Sequence, residues 1–278
     1  LLYDDLEIAA LPALKRLFVS VGYPRRKATS PWLPNLAHMT ALETLTRYNL
    51  TLPEIRKMSS YLPTQLQELC LFDIDTEHAD DEQFWMNMTG LTQLQVLKIP
   101  DMKPTEAFMK QMKCMQLTEF AMFDDRVPSP LAAMLPELTY LRSLAVSGTG
   151  NPLAALLAEC TQLTKVDLPS DKPKEMESYV AILPCLLALE NVSLGQKHPA
   201  PLTFYTLYLP ALTQLEVHVA SSDLPAFGGF LERHPTLTKL NVIFGKGTPR
   251  KPSWHILAKC PALEILIRKD MEETETEL

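Results

Sequence analysis

The chain has 278 residues, 46% of them apolar and 21% charged, which suffices for one sizeable core or for two. A net charge of −7 and a pI near 5.4 disfavour a nucleic-acid groove as its main surface. No stretch approaches the roughly 18 to 20 apolar residues of a membrane span, and Leu1 opens no signal-peptide pattern, so a processed or excised segment is expected.

Taken in chain order, the apolar residues repeat one figure: a leucine, an apolar residue three positions later and another two beyond that. It reads Leu14/Leu17/Val19, Leu42/Leu45/Arg47, Leu66/Leu69/Leu71, Leu94/Leu97/Ile99, Leu117/Phe120/Met122 and Leu141/Leu144/Val146. It continues as Leu163/Val166/Leu168, Leu189/Val192/Leu194, Leu212/Leu215/Val217, Leu237/Leu240/Val242 and Leu263/Leu266/Arg268. Steps of three suit one buried edge of a turn, and steps of two suit the inward side chains of a strand, so each figure predicts one short strand. Such a unit cannot bury its apolar side alone and needs a copy stacked on either face. The eleven reference leucines are on average roughly 25 residues apart, inside the 20 to 29 of one known repeat class.

A second column lies three residues before each reference leucine: Leu11, Met39, Leu91, Cys114, Leu138, Cys160, Leu186, Leu209 and Cys260, with Pro63 and His234 departing from it. Pro12, Pro210, Pro235 and Pro261 share the next position, where proline stops a helix and turns the chain extended. Between strands, Pro53–Leu62, Glu82–Met88, Thr105–Met115, Leu153–Cys160, Met176–Leu183, Leu224–Arg233 and Trp254–Lys259 carry apolar residues at helical spacing. Ser30-Pro31, Ser129-Pro130 and Asn151-Pro152 suit helix starts. No ladder of asparagines follows the strands, and the uneven spacing predicts loops of unequal length on one rim. Residues 1–270 are expected to form one continuous solenoid, and the acidic residues 271–278 a frayed tail.

No catalytic constellation emerges. Gly245-Lys246-Gly247-Thr248 lacks the spacing of a phosphate loop and runs into Pro249 rather than a helix. The histidines are scattered, and His38, His234 and His255 are read as structural. The basic groups Arg25-Arg26-Lys27 and Lys246, Arg250 and Lys251 are read as solvated loops. No cofactor or metal is expected. Five cysteines form no clustered end caps, and Cys114, Cys160 and Cys260 are expected to face the core as small hydrophobes, which suits a cytoplasmic protein. Three sequons, at Asn49, Asn87 and Asn191, speak for the secreted or cell-surface alternative.

Strand residues that point away from the core should form the informative surface. In the first five repeats these include Phe18, Tyr48, Phe72, Val96 and Phe123, the expected partner-binding residues. Ser143, Ala145 and Ser147 follow, then a polar series from Lys165 and Asp167 through Asn191, Glu216 and His218 to Asn241.

Through L-P-A-L-T-Q-L-E-V (Leu209–Val217), C-P-A-L-E-I-L (Cys260–Leu266) and L-P-E-L-T-Y-L-R-S-L-A-V-S-G-T (Leu135–Thr149), the chain resembles the leucine-rich repeat superfamily from about Leu11 to Arg268. The C-P-x-L form looks like repeats of F-box substrate receptors, and the Leu135–Thr149 form is similar to those of plant immune receptors. The resemblance implies an α/β horseshoe: a parallel concave sheet, a largely helical convex side and about eleven irregular repeats. It implies a non-enzymatic scaffold that recognises a protein partner, as the recognition half of a ubiquitin-ligase receptor or an immune receptor. A regulator of an enzyme or GTPase and an extracellular receptor ectodomain are the alternatives.

Overall fold

The computed structural model describes residues 13–20, 36, 39–75, 82–99, 102, 104–123, 129–147, 151–168, 173–195, 198–244 and 259–270. The Gly245–Thr248 loop, both basic groups, Ser30-Pro31, Trp254 and the acidic tail lie outside these residues. The chain divides into two compact units, Leu1–Leu141 and Arg142–Leu278.

In the first unit the described strands are β1 (Arg16–Ser20), β2 (Thr44–Thr51), β3 (Glu68–Asp75), β4 (Val96–Lys98) and β5 (Glu119–Phe123). They pair in that order and in parallel, with the reference columns in step: Leu17↔Leu45, Leu45↔Leu69, Leu69↔Leu97 and Leu97↔Phe120. Four helices alternate with them: α1 (Leu52–Ser59), α2 (Glu82–Met88), α3 (Glu106–Met112) and α4 (Ser129–Met134). Helix α1 starts at a capping box in which Thr51 N–H and Thr51 Oγ1–H both donate to Glu54 Oε2 at 2.9 Å. Ile55 and Met58 of α1, Phe84, Trp85 and Met88 of α2, and Phe108 and Met112 of α3 are buried with the inward strand residues. Aromatic rings dominate this layer, Trp85 lying 4.9 Å from Phe84 and 4.5 Å from Phe108.

The second unit repeats the plan with β6 (Ser143–Ser147), β7 (Lys165–Leu168), β8 (Asn191–Leu194), β9 (Gln214–Val219), β10 (Lys239–Phe244) and β11 (Ile265–Asp270). These are again parallel and in chain order, with Leu144↔Val166, Val166↔Val192, Val192↔Leu215, Leu215↔Leu240 and Leu240↔Leu266. Helices α5 (Asn151–Leu157), α6 (Pro173–Ile182) and α7 (Leu224–Arg233) interleave with them. Parallel strands need crossovers, and here each crossover is one repeat. Both units follow the α/β leucine-rich-repeat solenoid plan.

Every inward residue from Leu42 to Val242 in the eleven figures is buried, whereas Leu14, Leu17 and Val19 of the first repeat are half-buried. Two expectations change. Cys114 is exposed although Cys160 and Cys260 of the same column are buried, and all five cysteines are free thiols. Helices α1, α3 and α5 also end three residues earlier than the apolar spacing suggests, because those last turns become the turns that lead into the strands, whereas α2 and α7 keep the expected bounds.

The alternation of inward and outward side chains breaks once in β2 and once in β3. Asn49 and Asp73 take positive φ values, 57° and 54°, a left-handed region that Asn and Asp tolerate better than most residues. Strict alternation from Leu45 would send Leu50 outward, yet Leu50 is 1% and Ile74 6% exposed. The left-handed residue consumes one step of the alternation, and the side chain after it returns to the core. The two strands stay in register through this point, Tyr48↔Phe72 being followed by Leu50↔Ile74.

Candidate functional site

On the open face of the first unit, strand pairing defines three rows. The first is Arg16, Thr44, Glu68, Val96 and Glu119; the second is Phe18, Thr46, Cys70, Lys98 and Ala121; the third begins Ser20, Tyr48 and Phe72. Phe18 therefore faces Tyr48 diagonally, with ring centroids 5.6 Å apart and tilted by 54°. Tyr48 and Phe72 pair directly and stack at 4.9 Å and 26°. Offset stacks of this kind are worth about 0.5 to 1.5 kcal/mol beyond their area. Phe18 heads the ladder and remains 66% exposed, while Tyr48 and Phe72 are half-buried.

Val96, also expected at the site, does not extend this ladder. It sits in the first row between Glu68 and Glu119, half-buried and two rows away from Tyr48 and Phe72. The side chain of Phe123 lies outside the described residues. The reason is register: rows two residues apart share a face of a strand but occupy different levels along it, so facing outward does not by itself bring side chains together.

Charged groups beside the ladder are engaged with each other. Lys98 Nζ lies 3.0 Å from Glu119 Oε1, and Thr44 Oγ1 donates to Glu68 Oε2 at 3.3 Å. Cys70, one row from the aromatics, is buried, and that burial pushes its thiol up from the ordinary value. It is therefore a poor nucleophile and acts as a small apolar surface. Sequence reading missed Cys70 and the Lys98–Glu119 pair, although row-by-row alignment of the repeats carries both.

The open face of the second unit is built differently. Asn191 Nδ2 donates to Gln214 Oε1 at 3.2 Å, and Asp167 and Ser193 hydrogen-bond in the neighbouring row. Burial is the main reason that the Asp167 carboxyl is pushed up, with Glu216 adding to it and Ser193 and Lys165 opposing. His218 and Asn241, expected on the open polar series, are buried instead.

The sequon amides at two positions serve the fold. Asn87 Nδ2 donates to Ser59 Oγ at 2.9 Å, joining α2 to α1, and Asn191 makes the strand-to-strand bond above. Among the described residues no group of three or more His, Cys, Asp or Glu is placed to hold a metal ion. No described helix is long and apolar enough to cross a membrane.

No family model matches the chain, and no curated protein matches it. Solved structures do. An internalin from Listeria monocytogenes is 16% identical with a TM-score of 0.43, the match covering 94% of this chain and 70% of that one. A leucine-rich-repeat protein of Leptospira interrogans is 15% identical with a TM-score of 0.42, covering 96% and 76%. TLR13 in its complex with ssRNA13 is 16% identical with a TM-score of 0.44, covering 94% of this chain and 37% of that one.

Proposed function

We propose that this chain is a non-enzymatic scaffold that recognises a protein partner, anchored on the Phe18–Tyr48–Phe72 ladder of its first unit. The observation that carries the reading is a large ring left two-thirds exposed at the head of a stacked series. Its charged neighbours Lys98 and Glu119 neutralise each other. Aromatic side chains bury about 150 to 250 Å² each, and apolar area is worth about 25 cal/mol per Å². Three rings thus contribute at most on the order of 11 to 19 kcal/mol gross, comparable with the roughly 4 to 15 kcal/mol lost in association. Covering this face with apolar protein surface is favourable, and Val96 and Phe123 complete the proposed contact set. The chain acts in the cytoplasm in this reading, as the recognition part of a ubiquitin-ligase or immune receptor.

The test is affinity capture of a partner followed by calorimetry with purified components. Phe18→Ala with Phe72→Ala should weaken binding about a hundredfold while leaving the circular dichroism spectrum unchanged. Lys110→Ala, on the exposed side of α3, should bind as the parent does. Unchanged affinity in the aromatic double variant, with binding abolished by Asn191→Ala and Glu216→Ala, would move the site to the second unit.

A further inference from the structure

In seven of the described repeats the residue three positions before the reference leucine closes a turn through its own backbone. Its N–H donates to the carbonyl three residues earlier: Met39 to Leu36, Leu91 to Met88, Cys114 to Gln111, Leu138 to Leu135, Cys160 to Leu157, Leu186 to Leu183 and His234 to Leu231, all between 2.9 and 3.2 Å. The ninth repeat departs from this. Its Leu209 N–H donates to a side chain, His234 Nε2, at 2.9 Å. The acceptor comes from the same column of the next repeat.

The other ring nitrogen fixes the chemistry. His234 Nδ1 lies 2.8 Å from Phe230 O, which only accepts, so Nδ1 carries the proton and Nε2 presents its lone pair. One neutral tautomer satisfies both bonds, and the imidazolium satisfies only one of them. The ring is buried and stacked on Phe230 at 4.0 Å, with the Tyr208 ring 5.7 Å away.

The charged surroundings favour the neutral form. Arg233, next in α7, disfavours a second cation, and its guanidinium donates to Tyr205 O. Glu232, on the same helix, is paired with Lys259. On the side of the last repeat, Cys260 Sγ donates to His234 O, and burial pushes that thiol up, so it stays neutral. The Tyr205 hydroxyl on the ninth-repeat side is pushed up by burial as well. Burial, first, and Arg233 hold the His234 imidazole below its ordinary value of 6.5, against the Phe230 carbonyl.

We propose that His234 is a proton-operated latch between the ninth and tenth repeats. A proton taken from solvent onto Nε2 sets one N–H against another, and the Leu209 turn lets go. The sign follows from linkage. Above pH 6.5 the ring is neutral whether the latch is closed or open, and closure is complete. As the pH falls through 6.5 toward the depressed value, the open form takes up a proton that the closed form excludes, and closure weakens. Mild acid therefore loosens the turn that leads into β9 and, with it, the exposed Tyr208 beside it.

Amide exchange of the full chain, corrected for intrinsic rates and followed between pH 7.5 and 5.5, tests the latch. Protection at Leu209 should fall by about tenfold, whereas the Leu186 turn, closed by backbone alone, should hold constant. In His234→Gln the amide oxygen accepts from Leu209 and the amide nitrogen donates to Phe230 O, so protection should be independent of pH whatever its level. That variant also separates the latch from His198 and His218. A pH-independent parent, or a His234→Gln variant that loses as much protection in acid as the parent, overturns the proposal. Should His234→Gln fail to fold, nitrogen NMR of the parent imidazole decides: titration at or above 6.5 overturns the latch, and the Nδ1–H tautomer with a depressed midpoint supports it.

Discussion

Arg47 Nη2 lies 3.4 Å from Glu54 Oε1, and the arginine is 1% exposed. It occupies the inward column that Leu71, Ile99 and Met122 fill in the next repeats, so a guanidinium stands where the core expects a hydrocarbon. Burial lowers its pKa, and Glu54 opposes that effect. Because Glu54 Oε2 caps α1 while Oε1 faces Arg47, one carboxylate joins the helix start to the buried cation.

Removing that carboxylate should be costly. Glu54→Ala takes the partner from a buried charge and the cap from a helix, and breaking such a pair costs about 3 to 5 kcal/mol. Arg47→Met with Glu54→Gln should recover most of the loss, because an apolar side chain of similar length then fills the column. Urea denaturation of the single and double variants measures both; equal stability of Glu54→Ala and the parent would show that the pair contributes nothing.

The strand alternation is tested in the sixth repeat. Leu144 is buried and Ser143 half-buried on the opposite face. Leu144→Ala should cost about 2 to 5 kcal/mol and Ser143→Ala less than about 1. Similar denaturation midpoints for the two would contradict the placement of β6.

Trp85 is buried between Phe84 and Phe108, and its indole Nε1–H has no hydrogen-bond partner among the described residues. A buried donor left unpaired costs about 1 to 3 kcal/mol. Trp85→Phe removes that donor along with some apolar area, so stability should stay within about 1 kcal/mol of the parent, whereas Trp85→Ala should lose about 3 to 5. Thermal melts of the two variants give the comparison.

Asp167 supplies a pH dependence of opposite sign to that of His234. Its folded carboxyl is pushed up, so the fold binds a proton that the unfolded chain releases, and its contribution favours folding in acid and is lost as the pH rises through that range. Asp167→Asn should raise the Tm at pH 7 and make little difference near pH 3. A variant less stable than the parent at pH 7 would mean that the hydrogen bond to Ser193 outweighs the desolvation of the charge.

The core was legible because its signal is redundant. Leucines repeating in step identify strands, their order and their inward faces, and Arg47 kept its place in the column despite its charge. What stayed hidden depends on backbone conformation or on a neighbouring repeat. Asn49 and Asp73 suit a left-handed turn but do not require one, and His234 reads as an exception in its column until Leu209 is seen to need an acceptor. Val96 faces outward like Tyr48 but sits at another level along the sheet, a distinction that alternation alone does not carry. The outcome for Cys114 has the same origin, since an apolar column marks an average environment and tolerates one exposed member.

The left-handed residues in β2 and β3 also bear on how these repeats can diverge. Tyr48 pairs with Phe72 and Leu50 with Ile74 only because both strands slip at the same place. Straightening one alone would put its next leucine or isoleucine into water and slide the following backbone bonds past their partners. Asn49 and Asp73 are thus bound to a shared fate across 24 residues of sequence: either site admits Gly, but an insertion or deletion in one repeat survives only if its neighbour acquires the same change.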